Sequence, residues 1–233
     1  MSSKKLSIVI LCYNKWNFTK SCLDDLSKLP SDHEIIVVDN ASTDETQSQL
    51  QNNNDIVYYR NEKNSGFAAG CNIGYGLSTA PNVLFLNNDI RVKHSHDKWT
   101  QPIIDLCPDG LVGPTMGLLD KDLNFVKEAN RVLLGNSYMS GWCLGASKDI
   151  WNKLEIPRNT AFTTERVYPQ IFSEKYGIAY FEDTDLSFRA KNLNIKMQIV
   201  DVPVVHFGKQ TSKQLNTYAL YNNARKIFIK NWS

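Results

Sequence analysis

The sequence predicts an α/β fold built on parallel strands. Apolar runs of strand length alternate with helix-length segments through residues 1–90. The spacing is that of βαβ units, in which a helix returns the chain to the same edge of the sheet. Two acidic clusters follow apolar runs: Asn87, Asn88 and Asp89 after Val83–Leu86, and Glu182, Asp183 and Asp185 after Ala179–Phe181. Carboxylates at the ends of buried strands lie where open α/β sheets bind ligands.

Leu6–Leu11 is apolar and β-branched and predicts a buried strand. A helix is predicted over 17–29, stopped by Pro30. Ile35–Val38 is a second strand, ending at Asp39. Ser42 with Glu45 three residues on has the capping-box pattern and predicts a helix to Gln51. Ile56–Tyr59 is a third strand, Ala68–Leu77 a helix despite its glycines, and Val83–Leu86 a fourth strand. The second half is less regular. Strands are predicted over 111–114, 125–133, 141–146, 195–200 and 204–206, and helices over 148–154, 182–191 and 216–230. Residues 155–178 carry weak patterning and are expected to form a mobile flap over a ligand. The whole of 1–233 is expected to be one domain, 1–90 binding a nucleotide and 91–233 completing the site.

Composition excludes several classes. At 42% hydrophobic and 21% charged residues the chain is ordinary globular protein. A net charge of +2 gives no electrostatic case for nucleic acid. Five cysteines without a CxxC pair argue against a zinc knuckle or a disulfide framework, and for a reduced, cytoplasmic setting. There is no secretory segment near Met1 and no apolar run long enough to span a bilayer, so contact is expected at most with the cytoplasmic face of a membrane. The end at Trp232 and Ser233 is compatible with a domain cut from a larger protein.

Residue by residue, the candidates have two readings each. Asp39 can accept a hydrogen bond from a pyrimidine imide, or cap a turn. Gly66, Gly70, Gly74 and Gly76 can let backbone approach a ligand, or let a helix pack on the sheet; their spacing fits no dinucleotide or P-loop fingerprint. Asp89 can bind Mg2+ or Mn2+ beside a diphosphate, or sit in a solvated turn. Glu182 and Asp183 follow apolar residues and can supply a general base, or complement a helix dipole. Asp185 and Arg189 are spaced to pair on the helix. His206 after an apolar strand reads as a core histidine unless the fold brings it to Asp89.

Taken in order, these segments resemble the family 2 glycosyltransferases with the GT-A fold. The resemblance rests on SIVILCYN (7–14), EIIVVDNASTDET (34–46), NEKNSGFAAGCNIG (61–74), VLFLNND (83–89), GWCLGASKDIW (141–151), FEDTDLSFR (181–189) and VPVVHFGKQTS (202–212). The rhamnosyltransferase-like branch, which extends polysaccharide or glycolipid chains, is the one most resembled. It implies a Rossmann-like, mixed but mostly parallel central sheet flanked by helices. It implies Cys12, Tyr13 and Asn14 lining the nucleoside pocket, Asp39 reading the pyrimidine, and Gly66 near ribose and diphosphate. Asn87, Asn88 and Asp89 would be the DxD-type motif, with Asp89 on the metal and Asn88 near the ribose. Asp183 would be the catalytic base with Glu182 beside it, and His206 a second ligand to Mn2+ or Mg2+. The partners implied are a UDP- or dTDP-sugar donor and a glycan or glycolipid acceptor. Tyr138, Trp142, Tyr168 and Phe181 offer faces to acceptor sugars, or pack the core.

Two features depart from the pattern. Asn87 stands at the first DxD position, which leaves one carboxylate there. Near the C-terminus Asn222 and Asn223 stand where the family often has Arg-Asn, so the arginine's contact passes to Arg225 or is lost. Two other functions share part of the pattern. A sugar-1-phosphate nucleotidyltransferase needs a Gly-rich Arg/Lys loop after the first strand, which the chain lacks. A catalytically silent nucleotide- or carbohydrate-binding module has no need of Asp89, Asp183 and His206 together.

Overall fold

The computed structural model describes residues 3–93, 97–157, 168–208 and 216–232. The first half follows the βαβ expectation: β1 (Leu6–Cys12), α1 (Trp16–Leu26), β2 (His33–Asp39), α2 (Thr46–Leu50), β3 (Val57–Arg60), α3 (Gly66–Leu77) and β4 (Asn82–Asn87). The second half adds β5 (Ile90–Val92), α4 (Gln101–Leu106), β6 (Gly110–Gly113), β7 (Met116–Leu119), β8 (Phe125–Ala129), β9 (Ser137–Met139) and β10 (Cys143–Ser147). It closes with α5 (Lys148–Lys153), α6 (Glu182–Asn192), β11 (Lys196–Ile199), β12 (Val204–His206) and α7 (Thr217–Trp232).

The central sheet has seven strands in the order β11-β6-β10-β4-β1-β2-β3. Its ladders are parallel except where β10 runs antiparallel to both β4 and β6. Three of the seven strands come from the second half, which therefore builds on the same sheet. A three-stranded antiparallel sheet, β8-β7-β9, and a two-stranded one, β12-β5, complete the architecture.

Residues alternate across the central sheet into two core layers. Ile8, Ile10 and Leu84 pack on one face with Leu26, Ile103 and Cys107. Val9, Val83 and Phe85 pack on the other with Trp151, Phe172 and Leu186. Both layers are needed because parallel strands bury both faces. Phe85 makes edge-on contacts with Trp151 and Phe172, with ring centroids 5.2 and 4.9 Å apart. A third cluster forms where α7 lays Ala224 and Phe228 against Tyr176 and Phe181.

The glycine ambiguity in α3 resolves mainly toward packing. A Cβ at Gly70 would lie 2.2 Å from Leu11 Cδ1, and one at Gly74 would lie 2.2 Å from Val9 Cγ1. The stripe lets the helix lie close on β1. The expected capping box does not form, and α2 begins only at Thr46. Ser42 is held elsewhere: its N–H donates to Asp39 Oδ1 (2.8 Å) and its Oγ accepts from Asn14 N–H (2.7 Å).

The expected flap is also corrected where it is described. Ile171 and Phe172 are fully buried, and both of their N–H groups donate to Asn72 Oδ1 at 2.9 Å. A short 3-10 turn (Glu174–Tyr176) follows. Residues 168–178 are thus clamped to α3, and 158–167 lie outside the described residues. β5, α4, β7 and β9 were not expected; each is short and carries too few periods for a pattern to register. Among the described residues no helix is long and apolar enough to cross a membrane.

Candidate active site

β2, β1 and β4 end side by side. Cys12 pairs with Asp39, and Leu11 pairs with Asn87. At strand spacings of about 4.8 Å, Asp39 and Asn87 lie roughly 10 Å apart along one sheet edge.

Asp39 is fully buried. Its Oδ2 accepts from Tyr58 Oη (2.9 Å) and from the Arg60 guanidinium, and its Oδ1 from Ser42 N–H. It therefore presents no surface to a base in this conformation, because β3 folds Tyr58 and Arg60 over it. Cys12 likewise departs from the pocket expectation. Its thiol packs in the core, and burial pushes its pKa well above the usual value. Tyr13 is half-buried. Asn14, at φ +56°, accepts from Thr43 N–H (2.7 Å), which fastens the loop after β1 to the loop after β2. Gly66, at φ +86°, approaches protein rather than open space: a Cβ there would lie 2.5 Å from Gly177 O. The neighbouring Phe67 N–H donates to Ile178 O (2.9 Å).

The acidic cluster after β4 splits three ways. Asn88 points away from the cleft and donates to Thr19 Oγ1 (2.9 Å) on α1. Asn87 Nδ2 lies 3.2 Å from His206 Nε2. Asp89 Oδ1 lies 3.1 Å from the same nitrogen. The small β12-β5 sheet makes this meeting possible, since His206 pairs with Ile90 and Phe207 N–H donates to Asp89 O (2.9 Å). With Nε2 unprotonated, it accepts from the Asn87 amide and offers its lone pair beside Asp89 Oδ1; with Nε2 protonated, it is placed to pair with that carboxylate. Asp89 Oδ1 is buried and accepts no hydrogen bond among the described residues. In the first tautomer a carboxylate oxygen and an imidazole nitrogen converge with their lone pairs. A divalent cation fits that pair: carboxylate oxygen suits Mg2+ and Mn2+, and imidazole favours Mn2+. Among the described residues no third His, Cys, Asp or Glu joins them, so other ligands would come from substrate and water.

His206 is held from its far side. Its ring stacks on Trp142, centroids 4.7 Å apart and 11° from parallel. Trp142 Nε1 donates to Thr115 Oγ1 (2.9 Å) and Glu128 Oε1 (3.2 Å).

A cleft of about 740 Å³ opens beside this pair and reaches α6; Asn87, Trp142, His206, Glu182 and Asp183 all line it. Asp183 Oδ2 accepts from Gly141 N–H (3.0 Å) and its Oδ1 from Thr184 N–H (2.7 Å). Burial raises the Asp183 carboxyl above the usual range. Burial raises Glu182 further, and the adjacent Asp183 charge adds to the shift. Glu182 Oε2 accepts no hydrogen bond among the described residues. The backbone leading in is strained: Tyr180 and Phe181 have φ of +80° and +67°. Such conformations persist where surrounding structure over-determines them.

Other candidates prove structural. Asp185 accepts from Tyr176 Oη (2.8 Å), Trp232 Nε1 (3.0 Å) and Arg189 Nε (2.9 Å), tying α6 to α7 and the turn before it. Arg225 donates to the carbonyls of Asp122 and Leu123. Tyr168 packs edge-on against Tyr59, away from the cleft. Tyr138, Trp142 and Phe181 do line it. Thr115 and Glu128 were missed, because nothing local marks them; β7-β8 pairing alone brings them to Trp142.

Comparison with known proteins agrees with this fold. No protein of curated function matches the chain's sequence. Among solved structures, the mannosyltransferase PcManGT from Pyrobaculum calidifontis, in complex with GDP-Man and Mn2+, aligns at a TM-score of 0.58 with 14% identity, over 86% of this chain and 55% of that one. TarS 1-349 of S. aureus, in complex with UDP-GlcNAc, aligns at 0.40 with 25% identity, over 46% of this chain and 33% of that one. The chain thus spans between a third and just over half of the length of these structures. The likeness to PcManGT is one of fold, the GT-A arrangement expected from the sequence. The glycosyl transferase family 2 profile matches residues 7–133. That match runs from β1 past β8, through more than half of the chain, and the chain belongs to glycosyl transferase family 2.

Proposed function

We propose that this chain is a metal-dependent, inverting glycosyltransferase of the rhamnosyltransferase-like branch. It moves a sugar from a UDP- or dTDP-sugar to a hydroxyl of a glycan or glycolipid. The observation that carries the reading is that Asp183 and His206 line one cleft, with Asp89 Oδ1 bare at 3.1 Å from His206 Nε2.

Asp89 and His206 would hold Mn2+ or Mg2+, whose Lewis acidity favours departure of the nucleoside diphosphate. Asp183 takes the proton of the acceptor hydroxyl as that oxygen bonds to the anomeric carbon. The bond from that carbon to the diphosphate oxygen breaks on the opposite face, and its electron pair leaves with the diphosphate. The Gly141 and Thr184 N–H groups fix the carboxylate's orientation. The nucleoside end lies along the β2-β1 edge, and a base that reads Asp39 must displace Tyr58 or Arg60 from it.

The test is a calorimetric screen of UDP-, dTDP- and GDP-sugars with and without Mn2+, followed by donor turnover. Metal-dependent binding of a pyrimidine donor supports the reading. Binding of nucleoside triphosphates together with turnover of a sugar 1-phosphate would replace it with a nucleotidyltransferase.

A further inference from the structure

The cleft runs on past Asp183 to an end built by the three-stranded sheet and α7. In β7, Gly117 pairs with Glu128 of β8 on one side and with Tyr138 of β9 on the other. A Cβ at 117 would lie 2.2 Å from Tyr138 Cζ, so the tyrosine ring occupies the space that only a glycine leaves open. The ring is packed on β7 and lines the cleft. Tyr221 of α7 stands opposite, edge-on to Tyr180 with centroids 5.7 Å apart. Glu128 accepts both of its hydrogen bonds, from Thr115 Oγ1 and Trp142 Nε1, on Oε1. The lining is one-sided in charge: it includes Glu128, Glu182 and Asp183, and among the described residues no lysine or arginine.

We propose that this end of the cleft is the acceptor subsite, and that it selects a glycosyl unit without negative charge. The inference rests on the transferase reading for its place in the reaction. The apolar C–H face of a pyranose can lie on the Tyr138 ring, whose aromatic face is preorganised by Gly117. Sugar hydroxyls, or the ammonium of an amino sugar, donate to Glu128 in charge-assisted hydrogen bonds. A uronate or phosphate at the same place meets the like charges of Glu128, on the exposed side of the cleft, and of Asp183 further in.

A glycan array of neutral, amino-, uronate- and phosphate-bearing oligosaccharides, probed with the full chain and no donor, tests the subsite directly. Neutral or amino glycans should bind at least about tenfold more tightly than anionic counterparts of the same linkage. Glu128→Gln keeps an acceptor for Thr115 and Trp142 while removing the charge. It should retain the melting temperature and narrow the preference to about threefold or less. Anionic glycans binding as well as neutral ones, no neutral glycan binding, or an unchanged preference in Glu128→Gln would each overturn the assignment. Donor turnover is read separately. Its absence alongside selective glycan binding would count against the transferase reading and leave the charge selection standing.

Discussion

His206 Nε2 lies 3.1 Å from Asp89 Oδ1, which no hydrogen bond from elsewhere among the described residues reaches. Asn87 Nδ2 occupies the nitrogen from one side and Trp142 stacks on the ring from another. The pair is ordered without being satisfied. Asp89→Ala and His206→Ala should each reduce Mn2+ affinity by at least about tenfold, in line with loss of one ligand from a small set. Calorimetric titration of Mn2+ in the presence of nucleoside diphosphate measures this.

Trp142 is a positioning residue for His206. Trp142→Ala removes the stack and is expected to weaken Mn2+ binding by about 10- to 100-fold, the usual penalty for losing the support of a ligand. Trp142→Phe keeps an aromatic face and should recover most of it. Equal losses in both variants would show that the indole bonds to Thr115 and Glu128, rather than the stack, hold the ring.

Asp183→Asn retains an oxygen for the Gly141 N–H but cannot accept a proton at neutral pH. Turnover should fall by about 10²- to 10⁴-fold with donor affinity unchanged. Steady-state kinetics together with donor titration separates the two. Near-normal turnover would remove Asp183 from the role of base.

The raised carboxyls set the pH dependence of both rate and stability. A base must be ionised, so kcat/KM should rise with pH along a limb displaced above the ordinary carboxylate range. Stability has the opposite sign. Folded-state pKa values above the unfolded ones contribute stability at low pH that is lost as pH rises through the folded values. Glu182→Gln removes that loss. It should therefore melt above wild type at about pH 8, with the difference vanishing near pH 4. Thermal unfolding across the range decides the matter.

Gly66→Ala should destabilise by about 1–3 kcal/mol, because φ is +86° and the new Cβ meets Gly177 O at 2.5 Å and Ile178 Cα at 2.8 Å, both backbone. Denaturant unfolding reads the loss. Asp185→Ala should cost about 1–3 kcal/mol, since it leaves the hydroxyl of Tyr176 and the indole N–H of Trp232 without their acceptor and removes the carboxylate from half-buried Arg189. An effect of Asp185→Ala within about 0.5 kcal/mol of wild type would mean that α7 docks through Phe228 and its neighbours alone.

The alternation of apolar runs through residues 1–90 was enough to reveal four parallel strands and their helices, because β1 and β4 are buried on both faces and each strand carries its apolar signal locally. The order of motifs singled out Asp89, Asp183 and His206 as candidates. Which way side chains at those strand ends turn was not legible. Cys12 and Asn88 sit inside quoted motifs but point into the core and at Thr19, while Asp39 is covered by Tyr58 and Arg60. The ambiguity of Gly70 and Gly74 was settled by the side chains of Leu11 and Val9.

What the amino-acid sequence determined by itself is the fold class, the family and the residue types able to do the chemistry. Tertiary structure decided the rest: the approach of His206 to Asp89 through β12-β5 pairing, the Trp142 stack, and the seating of Tyr138 and Glu128 on either side of Gly117. The physical reason is that local pattern specifies which face of an element is buried. The register between strands far apart in the chain is fixed only when the assembled core chooses one pairing.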